Sequence, residues 1–410
     1  MSADTWSPTS QVSIRWTTGA WQSWAESYGD LTEEVVLDPT GLDDAVAACR
    51  RPRASLAGGL PGWLWAYACA RGVAPGADFA RTEETLARII TRVAPSDHAP
   101  AQSAVGLFRG SGGLLWATDA CARRAPAFAP THRQLVEGWM AGARRVLDRL
   151  DAHDPQVPIP ASLLDVTDGL AGVVRTLVLL ATSPIDSGPD PRPLIARASA
   201  ILCQLSDSIE LVKKDPKALG AAHGLPGIAA ALAVAIQHDE AAAGARDVLA
   251  NLVRAVDESR AHVPPLRPSW CSGEDGTAAN LGLARSVLDG YGLADVALPG
   301  EATAGQAPLS GPGLCHGAAG ILLIRDRLGT RVPASVAESV DAALERGARG
   351  ALTVDRGGTD VWSLLDLLDG AAGFTLCGLE LAGARTGLSI FLGLPDVGAA
   401  VPKASTEARA

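Results

Sequence analysis

A basic surface is the first thing this sequence lacks. Its 410 residues carry 35 Lys and Arg against 45 Asp and Glu, a net charge of −10. That balance argues against nucleic acid or an anionic membrane as the main partner, since both select for basic patches. Long apolar runs are missing too. The richest stretch, LAGVVRTLVLLA from Leu170, is interrupted by a charge and falls short of the roughly 20 residues a membrane span needs. No direct membrane insertion is expected. The opening residues, MSADTWSPTSQ, offer neither a basic start nor an apolar stretch, so no secretory signal is read and a cytoplasmic protein is expected. There is no CxxC pair, which removes the zinc-finger reading. The seven cysteines (Cys49, Cys69, Cys121, Cys203, Cys271, Cys315 and Cys377) have no paired framework. An odd number in a reducing compartment points to thiols or metal ligands, not disulfides. Tyrosine is scarce, at three against ten tryptophans, and most of the tryptophans are expected in the core.

What is abundant is apolar sequence, 47% of the chain with only 20% charged. That composition supplies a substantial core and confines disorder to the ends. Residues 1–393 are read as one domain and 394–410, LPDVGAAVPKASTEARA, as a flexible tail.

A Gly-x-x-Gly recurs through the domain: GLPG at 59–62, GSGG at 110–113, GLAG at 169–172, GLPG at 224–227, GEDG at 273–276, and GAAG at 317–320 and 370–373. Successive starts lie 51, 59, 55, 49, 44 and 53 residues apart, the signature of a repeat architecture. After each copy comes an Ala- and Leu-rich segment, such as IAAALAVAI after Gly227, whose composition favours a buried helix. Between copies lie amphipathic segments, such as HRQLVEGWMAGARRVLDRL from His132. Each period therefore predicts one outer amphipathic helix and one inner apolar helix. An open solenoid wants atypical capping repeats, and here the first and last copies look like the middle ones. The expected fold is all-α, an α/α toroid of seven helix pairs. Inner helices crowd near the axis, where glycine lets backbones approach.

The residues immediately before the first glycines are Gly58, Arg109, Asp168, His223, Ser272, His316 and Asp369, and one position earlier stand Cys271 and Cys315. Ring closure brings all of these to one mouth. Cys271, Cys315 and His316 form a soft three-ligand set that suits zinc and leaves a fourth position open, as catalytic sites do. The competing reading is of ordinary buried cysteines. His223 is a further metal ligand, a proton-transfer group or a core histidine. Asp165 and Asp168, in LLDVTDGLAG, either orient a histidine or cap a helix. Trp270 is a candidate for shielding a metal or contacting a peptide. Arg109 and Asp369 face the mouth, where a solvated loop charge accounts for them equally well.

WCSG at 270–273, LCHGAAG at 314–320 and GAAHGLPG at 220–227, together with the seven-fold Gly-x-x-Gly, resemble the signature motifs of the lanthionine synthetase C family, the lanthipeptide cyclases and their relatives. The resemblance covers nearly the whole chain and implies the same toroid. It implies one Zn²⁺ held by Cys271, Cys315 and His316, acid/base chemistry at His223 and an active-site carboxylate at Asp165. It implies addition of peptide cysteine thiols to dehydroalanine or dehydrobutyrine, closing thioether rings. The implied partners are a dehydrated precursor peptide and a dehydratase. Ser272 departs from the tyrosine often found there, and TAANL after Gly276 lacks a common arginine. No large insertion for an extra peptide-binding subdomain is visible. The alternatives within this fold are glutathione addition to dehydrated residues in proteins, and a non-catalytic scaffold for peptide or dehydratase. Zinc prenyltransferases also use an α/α barrel, but with Asp, Cys and His ligands, and Cys-His-Gly argues against them.

Overall fold

The computed structural model describes residues 16–40, 42–43, 55–57, 59–76, 78–93, 105–154, 157, 159–206, 216–260, 262, 266–289, 309, 311–352 and 366–394. Among these there is no strand. The seven inner helices are α2 (Leu60–Val73), α4 (Gly112–Arg124), α6 (Leu170–Thr182), α8 (Leu225–Gln237), α10 (Glu274–Asp289), α11 (Ala318–Arg327) and α13 (Ala371–Leu381). Outside them lie α1 (Thr18–Leu37), α3 (Phe79–Val93), α5 (Ala129–Asp151), α7 (Arg192–Ser206), α9 (Ala245–Arg260) and α12 (Ala334–Leu352). Residues 290–308, where the repeat places a seventh outer helix, lie outside the described residues, as does Gly58. Each inner helix packs on the next in chain order, and α13 packs back on α2. The ring is closed: the fold is an α/α toroid. No helix among the described residues is long and apolar enough to cross a membrane, and none of the six described cysteines is in a disulfide.

The inner and outer rings divide as their sequences predict. Every residue of α8 from Leu225 to Ile236 is buried, whereas α5 buries one stripe of His132, Val136, Trp139, Met140, Ala143 and Leu147.

The seven loops ahead of the inner helices are joined to one another in a circuit of backbone hydrogen bonds. The amide of Leu56 donates to Phe108, Phe108 to Thr167, Val166 to Ala222, Ala222 to Cys271, Trp270 to Cys315, Cys315 to Leu368, and Leu367 to Ala57, over 2.6–3.1 Å. The same loops fold under their own helices. Ala171, Gly276 and Gly320, in the first turns of α6, α10 and α11, donate their amides to carbonyls seven residues earlier, at Leu164, Ser269 and Gly313. This satisfies amide groups that a helix start otherwise leaves bare.

That curl explains the second glycine of each motif. A Cβ there would meet the carbonyl oxygen six residues back, at 2.5 Å for Gly62 and 2.6 Å for Gly113, inside contact distance. Gly227→Ala drives a methyl into the Ala221 carbonyl. It should cost about 1–3 kcal/mol, the usual range for overpacking. A denaturant midpoint equal to that of the parent would refute this account of the repeat.

The last described segment turns inward. After α13 the chain forms α14 (Leu388–Leu392), whose Phe391 and Leu392 are fully buried. Leu394, the first residue of the expected tail, is itself buried and its amide bonds the Ser389 carbonyl at 2.8 Å; residues 395–410 lie outside the described residues.

Candidate metal centre

Cys271 lies in the loop before α10, and Cys315 and His316 in the loop before α11. The link from the Trp270 amide to the Cys315 carbonyl, 2.8 Å, sets these two loops side by side. His316 Nε2 lies 3.0 Å from Cys271 Sγ and 3.8 Å from Cys315 Sγ. All three donor atoms fall within 4.8 Å of one another. Ligands on a tetrahedral zinc sit about 3.5 Å apart, given Zn–S and Zn–N lengths of about 2.3 and 2.0 Å. Two soft sulfurs and an imidazole at this spacing fit zinc, and among the described residues the cluster numbers three donors.

The imidazole is oriented from behind. His316 Nδ1 donates to Asp369 Oδ1 at 3.0 Å. A carboxylate can only accept, so this bond fixes the proton on Nδ1 and turns the Nε2 lone pair toward the sulfurs. Asp369 is therefore more than a solvated loop charge. The Asp369 hydrogen bond and then the Cys271 thiolate raise the His316 pKa to about 10. The Cys271 thiol is lowered to about 4, by hydrogen bonds from Cys315 and then His316. Cys315 moves the other way, because it donates to Cys271 and is buried. Asp369→Asn should weaken zinc binding about 10- to 100-fold, the usual effect of losing such a partner. Competition with a chromophoric chelator measures it, and an unchanged dissociation constant would remove Asp369 from the site.

A second carboxylate–histidine pair stands on the neighbouring loops. His223 Nδ1 donates to Asp165 Oδ2 at 2.8 Å, and Thr167 Oγ1 donates to the same oxygen at 2.9 Å. The other oxygen, Oδ1, accepts the amides of Asp168 and Gly169 at 2.9 and 3.1 Å. Asp165 therefore closes the turn ahead of α6 with one oxygen and holds the His223 ring with the other, and it caps no helix. Asp165 is 3% exposed while the His223 side chain is 52% exposed, which presents the ring to solvent at the mouth. The hydrogen bond to Asp165 raises the His223 pKa, with the Cys271 thiolate adding to it. His223 is not in the three-donor cluster. Asp168 pairs instead with Arg109, 3.4 Å away.

Trp270 corrects an expectation. It is 1% exposed and points into the toroid axis, its indole N–H donating to the Leu392 carbonyl at 3.2 Å. It cannot touch a peptide at the mouth. Thr167 escaped the sequence reading altogether. The signal for Asp369 was present in the repeat: Asp366-Leu-Leu-Asp369-Gly mirrors Asp165-Val-Thr-Asp168-Gly. Asp366 Oδ1 also accepts two following amides, from Leu368 and Asp369.

Comparison with known proteins bears on the family and the fold. No curated protein matches the chain by sequence. Among solved structures, nisin cyclase superposes with a TM-score of 0.59 at 15% identity, over 89% of this chain and 96% of that one, a likeness of fold. The family model described as lanthionine synthetase C-like protein matches residues 52–384, from ahead of the first Gly-x-x-Gly to beyond the seventh. The chain belongs to the lanthionine synthetase C-like family.

Proposed function

We propose that the protein is a zinc-dependent lanthipeptide cyclase, which adds cysteine thiols of a precursor peptide to its own dehydroalanine or dehydrobutyrine residues. The observation that carries this reading is the meeting, at one mouth, of a soft three-donor set and a carboxylate-held histidine outside that set. Zinc held by Cys271, Cys315 and His316 supplies, when bound, a Lewis acid that lowers the pKa of a thiol placed at its open position.

The chain's own groups account for the rest. The peptide sulfur bonds to the alkene β-carbon, and the π electrons pass to the α-carbon and its carbonyl as an enolate. The thiol proton goes to solvent. His223, whose pKa the hydrogen bond to Asp165 raises, delivers in its protonated form a proton to the α-carbon, which restores a neutral residue and completes the thioether. Asp369 holds His316 in register. Proximity of thiol and alkene at a rigid mouth contributes as much as acidity. The alkene must come from a separate dehydration, so a dehydratase partner is part of the proposal.

The test offers the purified, zinc-loaded protein a dehydrated peptide bearing one cysteine, and scores loss of alkylatable thiol at constant peptide mass. Ring closure above the uncatalysed rate supports the reading. Transfer of added glutathione without ring closure would move the assignment to intermolecular addition, and no reaction with either would leave a scaffold.

The Asp165–His223 pair also predicts a pH effect. As an acid His223 works when protonated, so the rate falls as pH rises through its pKa. Asp165 raises that pKa, and Asp165→Asn should move the alkaline limb to lower pH. A rate profile whose alkaline limb stays in place would separate Asp165 from the proton transfer.

A further inference from the structure

A ring of seven helices encloses an axial space, and protein interiors are filled to crystal-like density. Here the filling is the chain's own segment 386–393. Phe391 sits among Trp65, Phe108, Trp116 and Trp270, with ring centroids 5.2–5.8 Å away. The segment's carbonyls are also held. Arg175 donates to Phe391 at 2.5 Å, Asn280 to Leu392 at 2.8 Å and Trp65 to Thr386 at 3.0 Å. From its other side, Glu380 on α13 accepts from Ser389 at 2.7 Å. Residues from inner helices α2, α4, α6, α10 and α13 thus all meet this segment.

What makes the plug more than packing is its contact with Trp270. The Trp270 ring packs against both Phe391 at 5.8 Å and Phe108 at 6.1 Å, each inclined by 25°, and those two rings touch each other at 5.2 Å, so the three form a triangle. Its indole N–H bonds the Leu392 carbonyl. Its main chain runs directly into Cys271, and its amide bonds the Cys315 carbonyl. One residue therefore joins both sulfur-bearing loops, and its side chain rests wholly on the aromatic layer over the axis.

We propose that segment 386–393 is the floor of the metal centre, and that Phe391 and the Leu392 carbonyl position Cys271 and Cys315 through Trp270. The proposal rests on the metal-centre reading and adds to it a positioning element distant in sequence from every ligand.

The probe is Co²⁺, whose thiolate charge-transfer absorption reports bound sulfur directly and needs no substrate. Trp270→Phe keeps an aromatic side chain and removes the donor to Leu392, together with part of the ring volume, a loss that the control shares. Phe391→Leu keeps an apolar side chain and removes the aromatic contact. Trp63→Phe is the control, because its indole bonds Thr32 on α1 at 3.1 Å, away from the axis. Each floor variant should bind Co²⁺ about tenfold more weakly or worse, as losing an outer support does, with an altered absorption band. The control should match the parent. Should Phe391→Leu not fold, Trp270→Phe decides alone. Floor variants that lose thermal stability yet keep parental affinity and spectrum would overturn the proposal and leave the segment as core. A parent protein with no thiolate–cobalt band would instead sink the metal-centre reading, and this proposal with it.

Discussion

Alanine in place of Cys271, Cys315 or His316 should strip the protein of zinc. The parent, purified reduced and without chelator, is expected to hold about one ion per chain, in keeping with a single three-ligand site. Each variant should fall to near zero, because two remaining donors cannot retain zinc against solvent. The loss should exceed the 10- to 100-fold expected when only an outer partner goes. The fold should survive. Cys271 and His316 are partly exposed, in the loops ahead of α10 and α11, not within the inner helices. Cys315 is 2% exposed, so its alanine variant also loses a buried side chain and is the one to check by circular dichroism. Elemental analysis decides the matter. A zinc-free parent would end the catalytic mechanism and bring the scaffold reading forward.

Replacing His223 by alanine should lower cyclisation by about 10²- to 10⁴-fold, the usual worth of a positioned general acid. Zinc content should be unchanged, since His223 lies outside the donor cluster. The pairing of those two results is the point. A variant that lost both zinc and activity would show His223 to be a ligand or a support for one. A variant that kept both would leave solvent as the proton source. Deuterium incorporation at the α-carbon in heavy water offers an independent reading, because the stereochemical preference should weaken when protonation is no longer directed from one face.

Much of this was legible in the sequence, for a physical reason. The second glycine of each motif is demanded by backbone geometry, where a Cβ would strike a carbonyl, so the repeat shows even where side chains differ. The three donors stood out because the two cysteines occupy equivalent repeat positions and one of them is followed by His316. Asp369 did not, because an acidic residue before a glycine is commonly solvated; only the shared spacing of Asp366 and Asp369 with Asp165 and Asp168 hinted otherwise. The inward turn of Trp270 was not legible at all. It depends on α14, five residues with no periodicity to announce them, reaching the axis from more than a hundred positions away. Side chains that meet through closure of a ring leave no local trace.

The circuit of loop-to-loop amide bonds has a bearing on how such a protein can change. In an open stack of repeats an end unit can be lost or duplicated, and stability shifts by one increment. A closed circuit has no end unit. Deleting any helix pair here would strand one donor and one acceptor and leave six members to span a circumference set for seven. Ring size should therefore be fixed, and variation should collect in the connections around the outside. Such proteins are expected to diversify by lengthening those connections, never by counting repeats up or down.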